Sequence, residues 1–228
     1  MTTSKTSSTN TGSATYIVSP AFLNELIELN NDEVNTVFAS NGILLDKLAS
    51  NNDKYIREKL ANHGVGLGIL LKDKSRLVRT AVARQKYALS VLIRDPEEIV
   101  RVAVAEQGYG LDVLLTDPSW RVRRAVARQG YSLGVLMFDQ SVDVRQTVAS
   151  QGYAHEIMVN DESPLVRRII ATKGLHLSVL VHDSSAYVRM AVADQSYGLD
   201  ILINDKNPLV CRVARECTKA LFSSSRDR

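Results

Sequence analysis

A single period runs through most of this sequence. Cut before Leu26, Leu48, Leu70, Leu92, Leu114, Leu136, Met158, Leu180 and Leu202, the chain falls into consecutive blocks of 22 residues with no insertion. Two clear copies read LIRDPEEIVRVAVAEQGYGLDV and LLTDPSWRVRRAVARQGYSLGV. With positions in a block numbered from 1 to 22, Asp recurs at 4, Val-Arg at 9–10, Val-Ala at 13–14, Gln-Gly-Tyr at 16–18 and Leu at 20. A short fixed period dictates the architecture, because so small a unit cannot bury its own apolar face and must stack on its neighbours.

Each block reads as a longer helix followed by a shorter one. Asp at position 4 is expected to cap the longer helix, with Pro96 and Pro118 following at its first position, where a missing N–H costs nothing. Apolar residues at 9, 12, 13 and often 8 have helical spacing. Gly108, Gly130, Gly152 and Gly174 at position 17 predict a left-handed helix stop. The segment after it, such as residues 109–115, places apolar side chains at 20, 22, 1 and 2 and predicts one or two turns of α or 3₁₀ helix. Position 14 is alanine at 39, 61, 83, 105, 127, 149, 171 and 193, a small flank residue that lets the next parallel helix approach closely.

The ends depart from the repeat. Residues 1–15 are rich in Ser and Thr without periodicity, and Ser19-Pro20 opens a capping helix. The first block has Asn35 where later copies have Arg, and the last has Cys211 there and Arg215 at the alanine position. Arrays of this kind need atypical terminal units to end the core. The expected organisation is a disordered tail at 1–18, one solenoid over 19–222 with caps at 19–47 and 202–222, and a polar tail at 223–228.

Charge narrows the choice of partner. The net charge is only +3, but residues 48–135 carry 15 basic and 9 acidic side chains, net +6, and residues 136–201 carry 5 and 8, net −3. Positive charge therefore gathers in the first half of the array. No run of 18 apolar residues occurs, so no membrane span is expected, and the N-terminus lacks the apolar stretch of a signal peptide. The two cysteines, Cys211 and Cys217, argue against a disulfide framework and fit a reducing compartment, so a cytoplasmic location is expected.

The recurring Leu-x-x-Asp-x-x-x-x-Val-Arg-x-x-Val-Ala resembles the HEAT-like repeats, especially the short bacterial form called the leucine-rich-repeat variant, over residues 26–222. The fold class this implies is all-α, a right-handed α-α superhelical solenoid of about nine 22-residue two-helix repeats. Members of this group are mostly scaffolds for protein partners. Some relatives bind DNA, among them alkylpurine DNA glycosylases, and others attach bilin chromophores. One founding variant carries an iron–sulfur cluster on a cysteine-rich N-terminal segment, a feature that does not carry over because no cysteine precedes Cys211.

Two charged ladders stand out. Arg57, Arg79, Arg101, Arg123, Arg145, Arg167 and Arg189 recur at position 10, and Asp73, Asp95, Asp117, Asp139, Asp161, Asp183 and Asp205 at position 4. The arginines could form a phosphate track. Matched seven against seven, they are better read as structural pairs with the carboxylates, within one repeat or between adjacent ones; the resemblance implies the inter-repeat form. The tyrosines at 87, 109, 131, 153 and 197 could stack on bases, but a ring packed between layers with a wet hydroxyl is the preferred reading. The glutamines at 85, 107, 129, 151 and 195 are expected to satisfy free carbonyls at the helix ends.

Specificity is sought in the positions that vary, with 7 and 11 expected to face outward and 15 to flank them. Trp120, the single tryptophan, falls at an expected exposed position beside Arg121, Arg124 and Arg128, with Arg76 and Arg84 decorating a nearby copy. Trp and Arg are the usual anchors of interfaces. No phosphate-binding glycine loop, nucleophile pair or metal-ligand spacing is present, and the histidines at 63, 155, 176 and 182 fall at unrelated repeat positions. His155 replaces a core leucine and is expected to be a satisfied core residue. Asp117 near Trp120 is similar to the aromatic-plus-acid sites of HEAT-like glycosylases, without a residue-by-residue match. The expectation is a non-catalytic scaffold with no cofactor or metal. Its partner would be a protein with an acidic surface, or alternatively a DNA backbone lying on the basic surface of residues 54–128.

Overall fold

The computed structural model describes residues 48–224. The expected tail at 1–18, the cap at 19–47 with Asn35 and Ala39, and residues 225–228 lie outside the described residues. Within them the protein is all-helical, with no strand. Long helices start every 22 residues: α1 (Lys54–Asn62), α3 (Arg76–Arg84), α5 (Glu98–Glu106), α7 (Trp120–Arg128), α9 (Val142–Ser150), α11 (Pro164–Thr172), α13 (Ala186–Asp194) and α15 (Pro208–Ser224). Between them lie one-turn helices α2 (Leu67–Leu70), α4 (Leu89–Leu92), α6 (Leu111–Leu114), α8 (Leu133–Leu136), α10 (His155–Met158), α12 (Leu177–Leu180) and α14 (Leu199–Leu202). Consecutive long helices pack against one another, and each short helix packs on the long helices beside it, which makes a solenoid-like stack.

The long helices begin two residues later than the sequence suggests. Their caps stand at position 6, where Ser119 and Ser163 accept the amides of Arg121 and Leu165. The aspartate at position 4 lies outside the helix; its Oδ1 accepts the amide of the cap residue, as Asp117 does from Ser119 at 2.8 Å. This local turn leaves the rest of the carboxylate free to face the neighbouring repeat. Pro96 and Pro118 thus precede the cap, while Pro164 and Pro208 occupy the first helical position.

Position 17 is left-handed as expected, with Gly108 at φ 72° and Gly130 at φ 72°, although Lys86 and Ser196 hold the same conformation. A second left-handed residue, unforeseen from sequence, opens each short helix at position 19. It is Gly66, Gly110 or Gly198 in three copies, but Ala88, Ser132, Ala154 and His176 in others. A Cβ at Gly110 would press on the flexible end of the Ile93 side chain, which would have to turn aside.

The core is a column of paired valines from the long helices, such as Val78 with Val82, Val100 with Val104 and Val122 with Val126, set against Leu70, Leu92, Leu114 and Leu136. Alanines 61, 83, 105, 127, 149, 171 and 193 are fully buried. Two expected core positions are instead exposed. Position 8 presents Tyr55, Ile99, Leu165, Tyr187 and Leu209 to solvent, and position 22 presents Ile69, Val91, Val113, Val135, Ile157, Val179 and Ile201. A helix stacked between two neighbours keeps only a narrow outward strip, and on the long helices it runs through positions 8, 11 and 15, one helical face. Position 11 is exposed at Arg168 and Arg212 but recessed within that strip in the other copies, to the point that Thr80 is buried and bonds the Arg76 carbonyl at 2.7 Å. The last helix, lacking a glycine stop at Cys217-Thr218, runs on through Ser224, past the expected boundary at 222.

Candidate binding surface

Seven arginine–aspartate rungs cross the repeats. Each arginine meets the aspartate 16 residues on, in the next repeat: Arg57 with Asp73, Arg79 with Asp95, Arg101 with Asp117, Arg123 with Asp139, Arg145 with Asp161, Arg167 with Asp183 and Arg189 with Asp205. Every rung is two-pronged; Arg123 donates Nε to Oδ2 at 2.6 Å and Nη2 to Oδ1 at 2.9 Å. The remaining Nη1 reaches back within its own repeat, from Arg123 to the Asp117 carbonyl at 2.8 Å. Each guanidinium therefore closes the turn of one repeat and clamps the next.

These pairs are largely shielded from water, and their ionisation reflects it. The hydrogen bond that Arg123 donates to Asp139 raises the arginine above its ordinary value, outweighing burial. Burial pushes the Asp139 carboxyl up, but the Arg123 hydrogen bond, the Ser141 amide and the positive charge of Arg123 reverse this and hold it below the usual range. The ladder ends at Cys211, whose Sγ donates to the Asp205 carbonyl at 2.9 Å in place of a guanidinium but cannot reach forward. With all seven arginines engaged, the ladder offers no open phosphate track. Asp117 is equally committed, to Arg101 and the Ser119 amide, and is not a free acid beside Trp120.

The structure brings Trp120, Arg121, Arg124 and Arg128 together. They share a groove between α5 and α7 with Glu98, Ile99 and Val102. Trp120 is not the exposed residue expected; it is partly buried and packed against the core, beside Ile99 and Val102 of the preceding long helix. Arg121 and Arg124 lie over its ring, at 4.8 and 5.8 Å from the centroid. Arg121 is tied to Glu98 at 3.0 Å. Arg124 and Arg128 have no acidic partner among the described residues. A half-covered indole flanked by uncompensated guanidinium groups can take an apolar side chain next to a carboxylate.

The other two candidates do not join this groove. Arg76 lies beside Lys54, Tyr55 and Leu77 between α1 and α3, paired with Glu97 at 3.3 Å. Arg84 is exposed at the end of α3. The tyrosines are about half-exposed, with the Tyr153 hydroxyl close over Gly134 of the preceding repeat. Gln85 and Gln129 donate to the carbonyls of Asn62 and Glu106, at the end of the preceding long helix.

Sequence reasoning missed Ile99, which completes the groove with Glu98 and Val102 of the variable positions 7 and 11; its signal was an apolar residue at position 8. It also missed that His155 and His176 meet, Nδ1 to Nε2 at 2.9 Å, with Glu156 at 3.4 Å from the other His155 nitrogen. Among the described residues no cluster of three or more His, Cys, Asp or Glu could hold a metal, and no helix is long and apolar enough to cross a membrane. No protein-family model matches the chain, and a comparison with curated proteins gives no match.

Proposed function

We propose that this chain is a non-catalytic binding scaffold of the HEAT-like, leucine-rich-repeat-variant type, a right-handed solenoid of about nine repeats. Its site is the groove centred on Trp120, and its partner is a protein segment pairing an apolar side chain with acidic residues. One observation carries this reading: the ladder arginines are all paired, while Arg124 and Arg128 flank a half-covered tryptophan with no carboxylate to meet them. The net +6 of residues 48–135 would steer an acidic partner towards this half.

Because Trp120 is the only tryptophan, its fluorescence reports on the groove directly. Titration with peptides that place Leu or Phe among glutamates should shift its emission. The Arg124→Ala/Arg128→Ala variant should bind at least about tenfold more weakly, equivalent to about 1.4 kcal/mol. Duplex DNA is the contrasting ligand: backbone binding would weaken with a log–log salt slope of about −0.9 per phosphate neutralised. No response to acidic peptides together with steep, salt-sensitive DNA binding would replace the protein-scaffold reading with the nucleic-acid one.

A further inference from the structure

The short-helix face carries a second surface, independent of the Trp120 groove. Seven β-branched side chains at position 22 form an unbroken exposed row: Ile69 (42%), Val91 (57%), Val113 (51%), Val135 (60%), Ile157 (54%), Val179 (56%) and Ile201 (45%). Tyr87, Tyr109, Tyr131, Tyr153 and Tyr197 lie about half-exposed in the same short segments. Across positions 18–22 of these seven copies the only charged residues are Asp112, Glu156 and Asp200. Apolar and tyrosine-rich with few charges is the composition of an interface core rather than of solvated surface.

We propose that this face pairs with the same face of a second copy, antiparallel, about a two-fold axis at Val135. Four observations choose that occupant. First, the row is centred on Val135, three copies from Ile69 and three from Ile201, so antiparallel pairing sets Ile69 against Ile201, Val91 against Val179 and Val113 against Ile157 of the other copy. A two-fold contact requires such self-matching, and a second copy necessarily repeats the spacing of the layers.

Second, exposed apolar surface is greatest at that centre. Phe138, at position 3, is 69% exposed and lines a shallow recess with Met137, Ile157 and Met158 on its apolar side and Gln140, Asp161 and Glu162 on its polar side. Every other described copy has Ser, Lys, Arg, Thr, Asn or His at this position. On a two-fold axis the Phe138 of each copy enters the recess of the other, the central buried aromatic that anchors interfaces.

Third, the net charge of the halves favours the antiparallel direction: residues 48–135 carry +6 and residues 136–201 −3, so reversing one copy lays positive halves on negative ones, although the same register sets Asp112 opposite Glu156 within the row. Fourth, the twelve row side chains with Phe138 offer on the order of 1,000 Å² per copy, which reaches the about 800 Å² per partner of a standard interface.

Sedimentation equilibrium of the full chain tests this, with a dimer expected at low micromolar concentration. Val135→Glu/Phe138→Glu should weaken association at least about a hundredfold, about 2.7 kcal/mol, by burying four carboxylates near the axis. Both side chains are exposed in the single copy, so helicity and thermal midpoint should hold. Phe138→Asn, which restores the habit of its repeat position, should also weaken the dimer and serves if the double variant loses helicity. With Cys211 and Cys217 changed to Ser, Val135→Cys should form a disulfide with its own copy, and Val91→Cys should do so only when mixed with Val179→Cys. A monomer at about 100 µM, a dimer indifferent to these substitutions, or Val91→Cys linking to itself would overturn the proposal.

Discussion

Arg101 and Asp117 belong to different repeats and meet at two points, Nε to Oδ2 at 2.7 Å and Nη2 to Oδ1 at 2.9 Å, while Asp117 Oδ1 also accepts the Ser119 amide. One carboxylate thus joins two layers and shapes the entry to α7. Removing one member of a shielded pair strands the other, so Asp117→Ala should lose on the order of 3 kcal/mol. Chemical denaturation measures it. A midpoint equal to that of wild type would mean that the rung contributes nothing and that Arg101 is available to a ligand.

Acid should loosen the same ladder. The Arg189 hydrogen bond holds Asp205 below the ordinary carboxylate value; at Asp73, Asp139 and Asp183 burial acts in the opposite direction and the paired arginines and backbone amides overcome it. Carboxylates whose folded values are lowered contribute stability that is complete above their unfolded value, about pH 4, and is lost as pH falls through the lower folded values. Thermal midpoints should hold from neutrality to about pH 5 and drop below about pH 4. A midpoint unchanged down to about pH 2 would contradict the lowered values.

The stack should tolerate loss of a whole unit. Deleting residues 92–113 joins Val91 to Leu114 and brings Arg79 to Asp117 in the place of Asp95, so the ladder simply loses a rung. Deleting only 92–102 removes the first half of α5, puts half a repeat out of register and leaves α3 without a whole long helix to pack on. Far-UV circular dichroism should show cooperative unfolding for the first variant and reduced helicity for the second. Reduced helicity in both would mean that the units are not interchangeable.

His155 and His176 depart from the repeat in adjacent copies and meet. His155 stands where other described copies have leucine, and His176 holds φ 52° where Gly66, Gly110 and Gly198 stand elsewhere. A non-glycine residue in that conformation costs on the order of 1 kcal/mol, and an imidazole on the core side forfeits apolar burial. His155→Leu/His176→Gly should therefore raise stability by about 1 kcal/mol. A lower thermal midpoint would show that the 2.9 Å histidine contact outweighs both losses.

The sequence by itself determined the period, the all-helical class, the left-handed stop at Gly108 and its equivalents, and the alanines between layers. Each of these is a local or strictly periodic property, visible wherever a residue type recurs at one position. Tertiary structure alone decided where Asp117 acts, since a carboxylate six residues before an arginine could cap its own helix or pair across a repeat. Contact with the next layer settled that choice. It also decided burial, which depends on neighbours on both flanks of a helix rather than on a wheel drawn for one. Trp120 came to rest half-covered beside Ile99 and Val102 for that reason, and the valines of position 22, periodic like the core, were left facing water.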